Sequence, residues 1–164
     1  MRIRRMKKRH MKQCIDFVVN VLHEPLQATR DDIKEFRRWD SDEVLLLVAE
    51  EEEDKRFCGF AGVVYEAWNR TGLIQWIGLT EDQRGAGLGS QMLMRMVRWV
   101  GKCGGRKIYV STDVDASGPI AFYEKNGFAQ EAVFRDWYFD GGDAVFLSRR
   151  TDDLPDVEPP PTGQ

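Results

Sequence analysis

The chain has 164 residues, the length of one domain able to bury most of the surface its unfolded form exposes, so a second hydrophobic core is not expected. Hydrophobic residues make up 42% and charged residues 31%, with a formal net charge of −3, the balance of a soluble globular protein. The longest apolar run, 44–49, is far too short to span a membrane, and the basic stretch at 2–12 lacks the apolar segment and small-residue cleavage site of a secretory signal.

Residues 1–6 predict a strand, with Met1 and Ile3 alternating against a charged outward face as an edge strand would. The same cluster, Arg2, Arg4, Arg5, Lys7, Lys8 and Arg9, would also suit nucleic acid, but that partner is not expected. Helices follow at 11–22, with Cys14, Ile15, Val18, Val19 and Leu22 on one face, and at 31–39, where Thr29, Asp31 and Asp32 supply cap-type residues. Strands are predicted at 43–50, 56–66 and 71–79, the acidic run 50–54 forming a solvated hairpin tip. A glycine-rich loop then opens a long helix that Gly104-Gly105 stops near Lys102. Next come a strand at 107–111, a short helix at 119–125 with Pro119 in its first turn, and strands at 128–139 and 143–149 joined by Asp140-Gly141-Gly142. The Pro-rich end, 151–164, has nothing to bury and reads as an extended or disordered tail.

Gln83-Arg84-Gly85-Ala86-Gly87-Leu88-Gly89, between a strand and a helix start, reads as an anion cradle. Glycines let the backbone turn tightly and approach a ligand, and the first amides of a helix have no intrahelical partner, so their N–H groups and the dipole face a bound phosphate. Arg84 adds a donor fork. Two other phosphate motifs fail here. A dinucleotide Gly-x-Gly-x-x-Gly finds Ser90 or Met92 where its last glycine belongs, and no lysine stands where a triphosphate loop needs one. Cys14, Cys58 and Cys103 are odd in number, lack Cys-x-x-Cys spacing and meet only two histidines, so no metal site is expected. Each reads as a small apolar residue, and the cytoplasm as the compartment.

Downstream stands Pro119-Ile120-Ala121-Phe122-Tyr123-Glu124-Lys125-Asn126-Gly127-Phe128. With this segment and the loop, where Arg84, Gly87 and Gly89 fit Arg/Gln-x-x-Gly-x-Gly/Ala, the chain resembles the GNAT superfamily of acyl-CoA N-acyltransferases over roughly residues 1–150. The resemblance implies an α/β (α+β) fold: a single GNAT-like domain at 1–150, a mixed central sheet of about seven strands flanked by about four helices. It implies acetyl-CoA as cosubstrate, held by Arg84, Gly85, Ala86, Gly87, Leu88, Gly89 and Ser90. Leu79 would offer its N–H to the thioester carbonyl, Ile77 and Trp76 would line the pantetheine slot or serve as ordinary core residues of a central strand, and Tyr123 would be the general acid or a donor to the thiolate, the alternative being a packing tyrosine on an aromatic helix face with Phe122. An unperturbed phenol near pKa 10 is a weaker acid than a thiol near 8.5, so full proton transfer is uphill by roughly 2 kcal/mol and hydrogen bonding is the safer role.

Two residues depart from the family pattern. Gln75 stands where many members carry a glutamate base on the fourth strand, and Ala116 where many carry an asparagine that bonds the pantetheine arm. Without a strong base, an α-amine suits the site better than a lysine: presenting it neutral at pH 7 costs about 1–1.4 kcal/mol, against roughly 4.6 kcal/mol for a lysine-type amine. Glu66, Asp113 and Glu131 remain candidates for a base acting through water. The segment 135–145 is similar to the end of ribosomal-protein alanine and archaeal protein N-terminal acetyltransferases, in which an aromatic near Tyr138 lines the peptide groove. The expected activity is therefore acetyl transfer by direct attack of a primary amine, a peptide or protein N-terminus being favoured, with Gln75 and Tyr138 on the acceptor side. A small-molecule amine acceptor (polyamine, aminoglycoside or amino acid) and a non-catalytic acyl-CoA-binding module are the alternatives. An acidic pocket around Glu24, Asp31, Asp32 and Glu35 would favour a polycation, and an open groove between 22–40 and 135–142 a peptide. A monomer or homodimer is expected, without membrane association.

Overall fold

The computed structural model describes residues 1–23, 30, 31, 33, 35, 42–138 and 141–153. Seven strands form one sheet: β1 (Arg2–Arg5), β2 (Val44–Glu50), β3 (Phe57–Glu66), β4 (Thr71–Leu79), β5 (Lys107–Asp113), β6 (Ala129–Phe134) and β7 (Ala144–Arg150), in the order β1-β2-β3-β4-β5-β7-β6. Only the β4–β5 pair is parallel. Three helices are described throughout, α1 (Met11–Val21), α2 (Leu88–Lys102) and α3 (Ser117–Lys125). Of the helix predicted at 31–39, residues 31, 33 and 35 are helical and the others lie outside the described residues.

The sheet is covered on both sides because its central strands carry apolar residues at both parities. All seven residues of β2 are buried; Leu45, Leu47 and Ala49 join the core under α2 and α3, and Val44, Leu46 and Val48 the core under α1. On α2, Leu88, Met92, Leu93, Met96, Val97 and Val100 repeat at helical spacing and form the buried stripe. Its end is a Schellman turn: Gly104 takes φ +86°, its N–H reaches the Gly101 carbonyl at 3.0 Å and that of Gly105 the Val100 carbonyl at 2.8 Å.

Three expectations need correction. Glu50 is not part of a solvated tip: it is 3% exposed and meets Arg4 at 3.0 Å and His10 at 2.9 Å, because β2 carries it beneath the 3-10 turn Lys8–His10. β6 ends at Phe134, five residues before the predicted limit. Asp136 at φ 52° reverses the chain, with its N–H on the Asp143 carboxylate at 2.8 Å, so Trp137 and Tyr138 occupy a loop whose amides both reach the Gly142 carbonyl. Helix α3 starts two residues earlier than predicted, at Ser117, leaving Pro119 within its first turn, where a missing N–H costs no helix bond. Residues 154–164 of the predicted tail, and Asp140 of the predicted turn, lie outside the described residues.

Candidate active site

β4 and β5 pair only from Thr71–Lys107 to Leu73–Tyr109, yet β4 continues to Leu79 and β5 to Asp113. Beyond the pairing the sheet is open between two parallel edges. Which β4 groups face the opening follows from the antiparallel ladder on its other side. Thr80 N–H donates to the Cys58 carbonyl at 2.9 Å, so the neighbouring pair Leu79–Gly59 is non-hydrogen-bonded and the Leu79 N–H and carbonyl point away from β3. Ile77, two residues back, presents its peptide groups along the same edge. Arg84 Nε donates to the Leu79 carbonyl at 3.3 Å, tying the loop to the strand end.

A second irregularity sets the side chains. Gly62 pairs with Trp76 and Val63 with Ile74, so Gln75 is the extra residue of a β-bulge. Gln75 is exposed there. The bulge puts Ile74 and Ile77 on the α2 side, while Trp76 packs in the α1-side core with its ring 5.7 Å from Phe60. Trp76 is thus a core residue. Its signal was present in the sequence, since Ile74-Gln75-Trp76-Ile77 breaks the two-residue alternation of a regular strand.

After β4 a 3-10 turn, Glu81–Gln83, leads into the glycine loop. Gly85 and Gly87 have φ +83° and +79°, and a Cβ at either would have nothing within 4 Å. The loop is therefore open space bordered by backbone. The α2 ladder begins with Gln91 N–H on the Gly87 carbonyl at 3.1 Å, so the amides of Leu88, Gly89 and Ser90 precede it. Amides at a helix start, beside φ > 0 glycines and the exposed Arg84, fit the pyrophosphate of a coenzyme A; no described group of three or more His, Cys, Asp or Glu has metal-site geometry. The open edge of β4, with peptide groups free on one side, suits the amides of a pantetheine arm in the same way.

Helix α3 stands against this loop: a Cβ built on Gly89 would lie 3.4 Å from the Phe122 ring and 3.7 Å from Leu79 Cδ1. Tyr123 is 5% exposed and packed between Phe122 and Phe128, ring centroids 5.3 and 5.4 Å away, and burial pushes its pKa well above the ordinary tyrosine value. Ala116 caps α3 without a side-chain bond. The Asp113 carboxylate accepts the Asp115 N–H at 2.7 Å.

The candidate bases separate by position. Glu66 pairs with Thr71 at the start of β4, roughly 25 Å along the strand from Leu79, and accepts the Thr71 and Tyr109 hydroxyls, each at 3.0 Å. Burial first, then Glu66, pushes Tyr109 up to about 12. Glu131 bonds Lys107 at 2.7 Å and Ser148 at 2.5 Å, and these two hold its carboxyl below the usual range. Lys107 also sits at the Thr71 end. Neither carboxylate reaches the opening. Asp113, exposed at the end of β5, is at the right end, and so is the loop carrying Tyr138, since Ala144 pairs with both Asp113 and Phe134. Asp31 and Glu35 of the postulated acidic pocket are described, but Glu24 and Asp32 lie outside the described residues, as does most of the postulated peptide groove.

Solved structures share this arrangement at low identity. A GNAT-family protein from Desulfovibrio desulfuricans superposes with a TM-score of 0.79 at 21% identity, over 92% of this chain and 98% of its own. An aminoglycoside 6′-N-acetyltransferase complexed with coenzyme A does so with 0.78 at 16%, over 95% and 100%, and a ribosomal-protein-alanine N-acetyltransferase from Brucella melitensis with 0.73 at 17%, over 92% and 99%. At these identities the likeness is one of fold. No curated protein sequence matches the chain. The model of the Acetyltransferase (GNAT) family matches residues 13–128, which carry the opening, the glycine loop and Tyr123, and the chain belongs to that family.

Proposed function

We propose that this acetyl-CoA-dependent acetyltransferase acylates a primary amine by direct attack, with the α-amine of a peptide or protein N-terminus as its acceptor. The observation that supports it most is the opening between β4 and β5, edged by the Ile77 and Leu79 peptide groups and ending at the Gly85–Gly87 cradle. Bound acetyl-CoA supplies an activated acyl carbonyl and a thiol leaving group. In this reading the amides of residues 85–90 and Arg84 hold the pyrophosphate, the β4 edge orients the arm, and Leu79 N–H donates to the carbonyl oxygen as charge develops there. Tyr123 acts as a hydrogen-bond donor: burial keeps its phenol protonated, which suits donation to a thiolate better than full proton transfer. Gln75 and Tyr138 face the acceptor as neutral contacts.

The acceptor assignment rests on the base. Gln75 cannot take a proton, and Glu66 and Glu131 are engaged at the far end of the sheet, which leaves Asp113 through water or an amine that is already neutral. The same proposal takes 1–150 as the catalytic domain with 151–164 as a tail, a cytoplasmic setting, and a monomer or homodimer. Thiol release from acetyl-CoA, followed with a panel of peptides, polyamines and aminoglycosides, tests it. Turnover with peptide N-termini supports the assignment; turnover confined to polyamines or aminoglycosides replaces it, and none with any amine favours a binding module.

A further inference from the structure

We propose that the groove between the first half of α1 and the described residues of a second helical segment, 30, 31, 33 and 35, binds an organic phosphate, at a site separate from the glycine cradle. The groove is open to solvent and offers about 610 Å³, a volume suited to a molecule of sugar-phosphate or nucleotide size. Its walls follow from helical spacing. Lys8, Met11, Lys12 and Ile15 fall on one stripe leading into and along α1, while Cys14, Phe17 and Val18 face the sheet, and Arg30 reaches the groove from the second helical segment. Among the described lining residues four cations, Lys8, Arg9, Lys12 and Arg30, thus stand with one carboxylate, Asp16. That carboxylate is taken by Lys12 at 2.8 Å, and Arg9 leans on Glu50 at 3.7 Å. Lys8 and Arg30 have no ion-pair partner among the described residues.

The charge pattern is unfavourable without an anion. α1 has no acidic residue in its first turn, and Lys8, Arg9 and Lys12 crowd the positive end of its dipole. A phosphate dianion between Lys8 and the Arg30 fork reverses both terms at once, and Met11 with Ile15 gives an apolar wall for the organic part. The site is independent of acyl transfer. α1 lies on the opposite face of the sheet from α2, and it is Phe17, with Leu22 just past the helix end, that a Cβ on Gly78 of β4 would meet at 3.0–3.1 Å.

The test uses the full chain saturated with coenzyme A, so that the cradle is filled, and follows backbone amide NMR shifts during titration with ribose 5-phosphate and, separately, with ribose. Saturable shifts at residues 8–16 and 30 with the phosphate alone are expected. Arg30→Glu and Lys8→Glu should each weaken the titration at least tenfold while coenzyme A affinity, which reports folding, stays constant. Absence of saturable shifts, equal response to ribose, or unchanged affinity in both charge reversals overturns the proposal. A twelve-nucleotide RNA that shifts these residues where ribose 5-phosphate does not would also overturn it and assign the groove to a phosphodiester chain.

Discussion

Tyr123 is both packed into the core and adjacent, through Phe122, to the loop and to Leu79, so one hydroxyl can be removed with little loss of packing. Tyr123→Phe should keep the melting temperature and the coenzyme A affinity while turnover falls roughly 10²–10⁴-fold; wild-type turnover would return the residue to a purely structural role. His10 allows a pH prediction at the same scale. Lys7 N–H donates to its Nδ1 at 2.9 Å, leaving Nε2–H for Glu50 at 2.9 Å, and burial holds its pKa below the ordinary value of 6.5. The unfolded chain therefore binds the proton first as the pH falls. Stability is full above about pH 6.5 and is lost as the pH drops through the folded pKa. Thermal unfolding between pH 7.5 and 5.5 should show this decline, and His10→Gln should flatten it.

Among the elements, the strand–loop–helix unit from β4 to α2 is held by backbone geometry more than by side chains. Gly87→Asp keeps a φ of +79° that only glycine adopts without strain and puts a carboxylate in the open cradle. Coenzyme A affinity measured by calorimetry should fall more than tenfold, and unchanged binding would move the site elsewhere. Helix α3 offers the opposite sign. Gly118 lies within it, takes no left-handed φ, and a Cβ there meets nothing within 4 Å. Gly118→Ala should raise stability by about 0.4–1 kcal/mol in chemical denaturation, chiefly by restricting the unfolded chain. Gly87 and Gly118 each stand at a helix start; the sign of the substitution is decided by φ, which composition does not reveal.

For the molecule as a whole, the acceptor reading predicts a pH profile. If an already neutral α-amine is the nucleophile, acetylation of a peptide N-terminus should rise through about pH 7–8.5 and then level off, with lysine side chains poor acceptors at pH 7.5. Mass spectrometry that places acetyl groups on internal lysines, with N-termini untouched, would refute it. The boundaries of β4, the start of α2 and its glycine stop were legible in the sequence because each depends on neighbours within a turn or two: apolar alternation, φ > 0 glycines, helix period. The glycine loop was legible for the same reason, being one contiguous segment whose left-handed glycines precede a helix start. Glu50 was not, since its burial depends on Arg4 and His10, some forty residues away in the chain. Nor was the reversal at Asp136, set by a carboxylate seven residues later. The sequence by itself determined the elements and the local motif, whose energetics are short-range. Only the tertiary structure decided that β4 and β5 part after Leu73, that the bulge exposes Gln75, and that Glu66 and Glu131 are engaged at the far end, because strand pairing and charge pairing join residues whose separation along the chain carries no information about their distance in space.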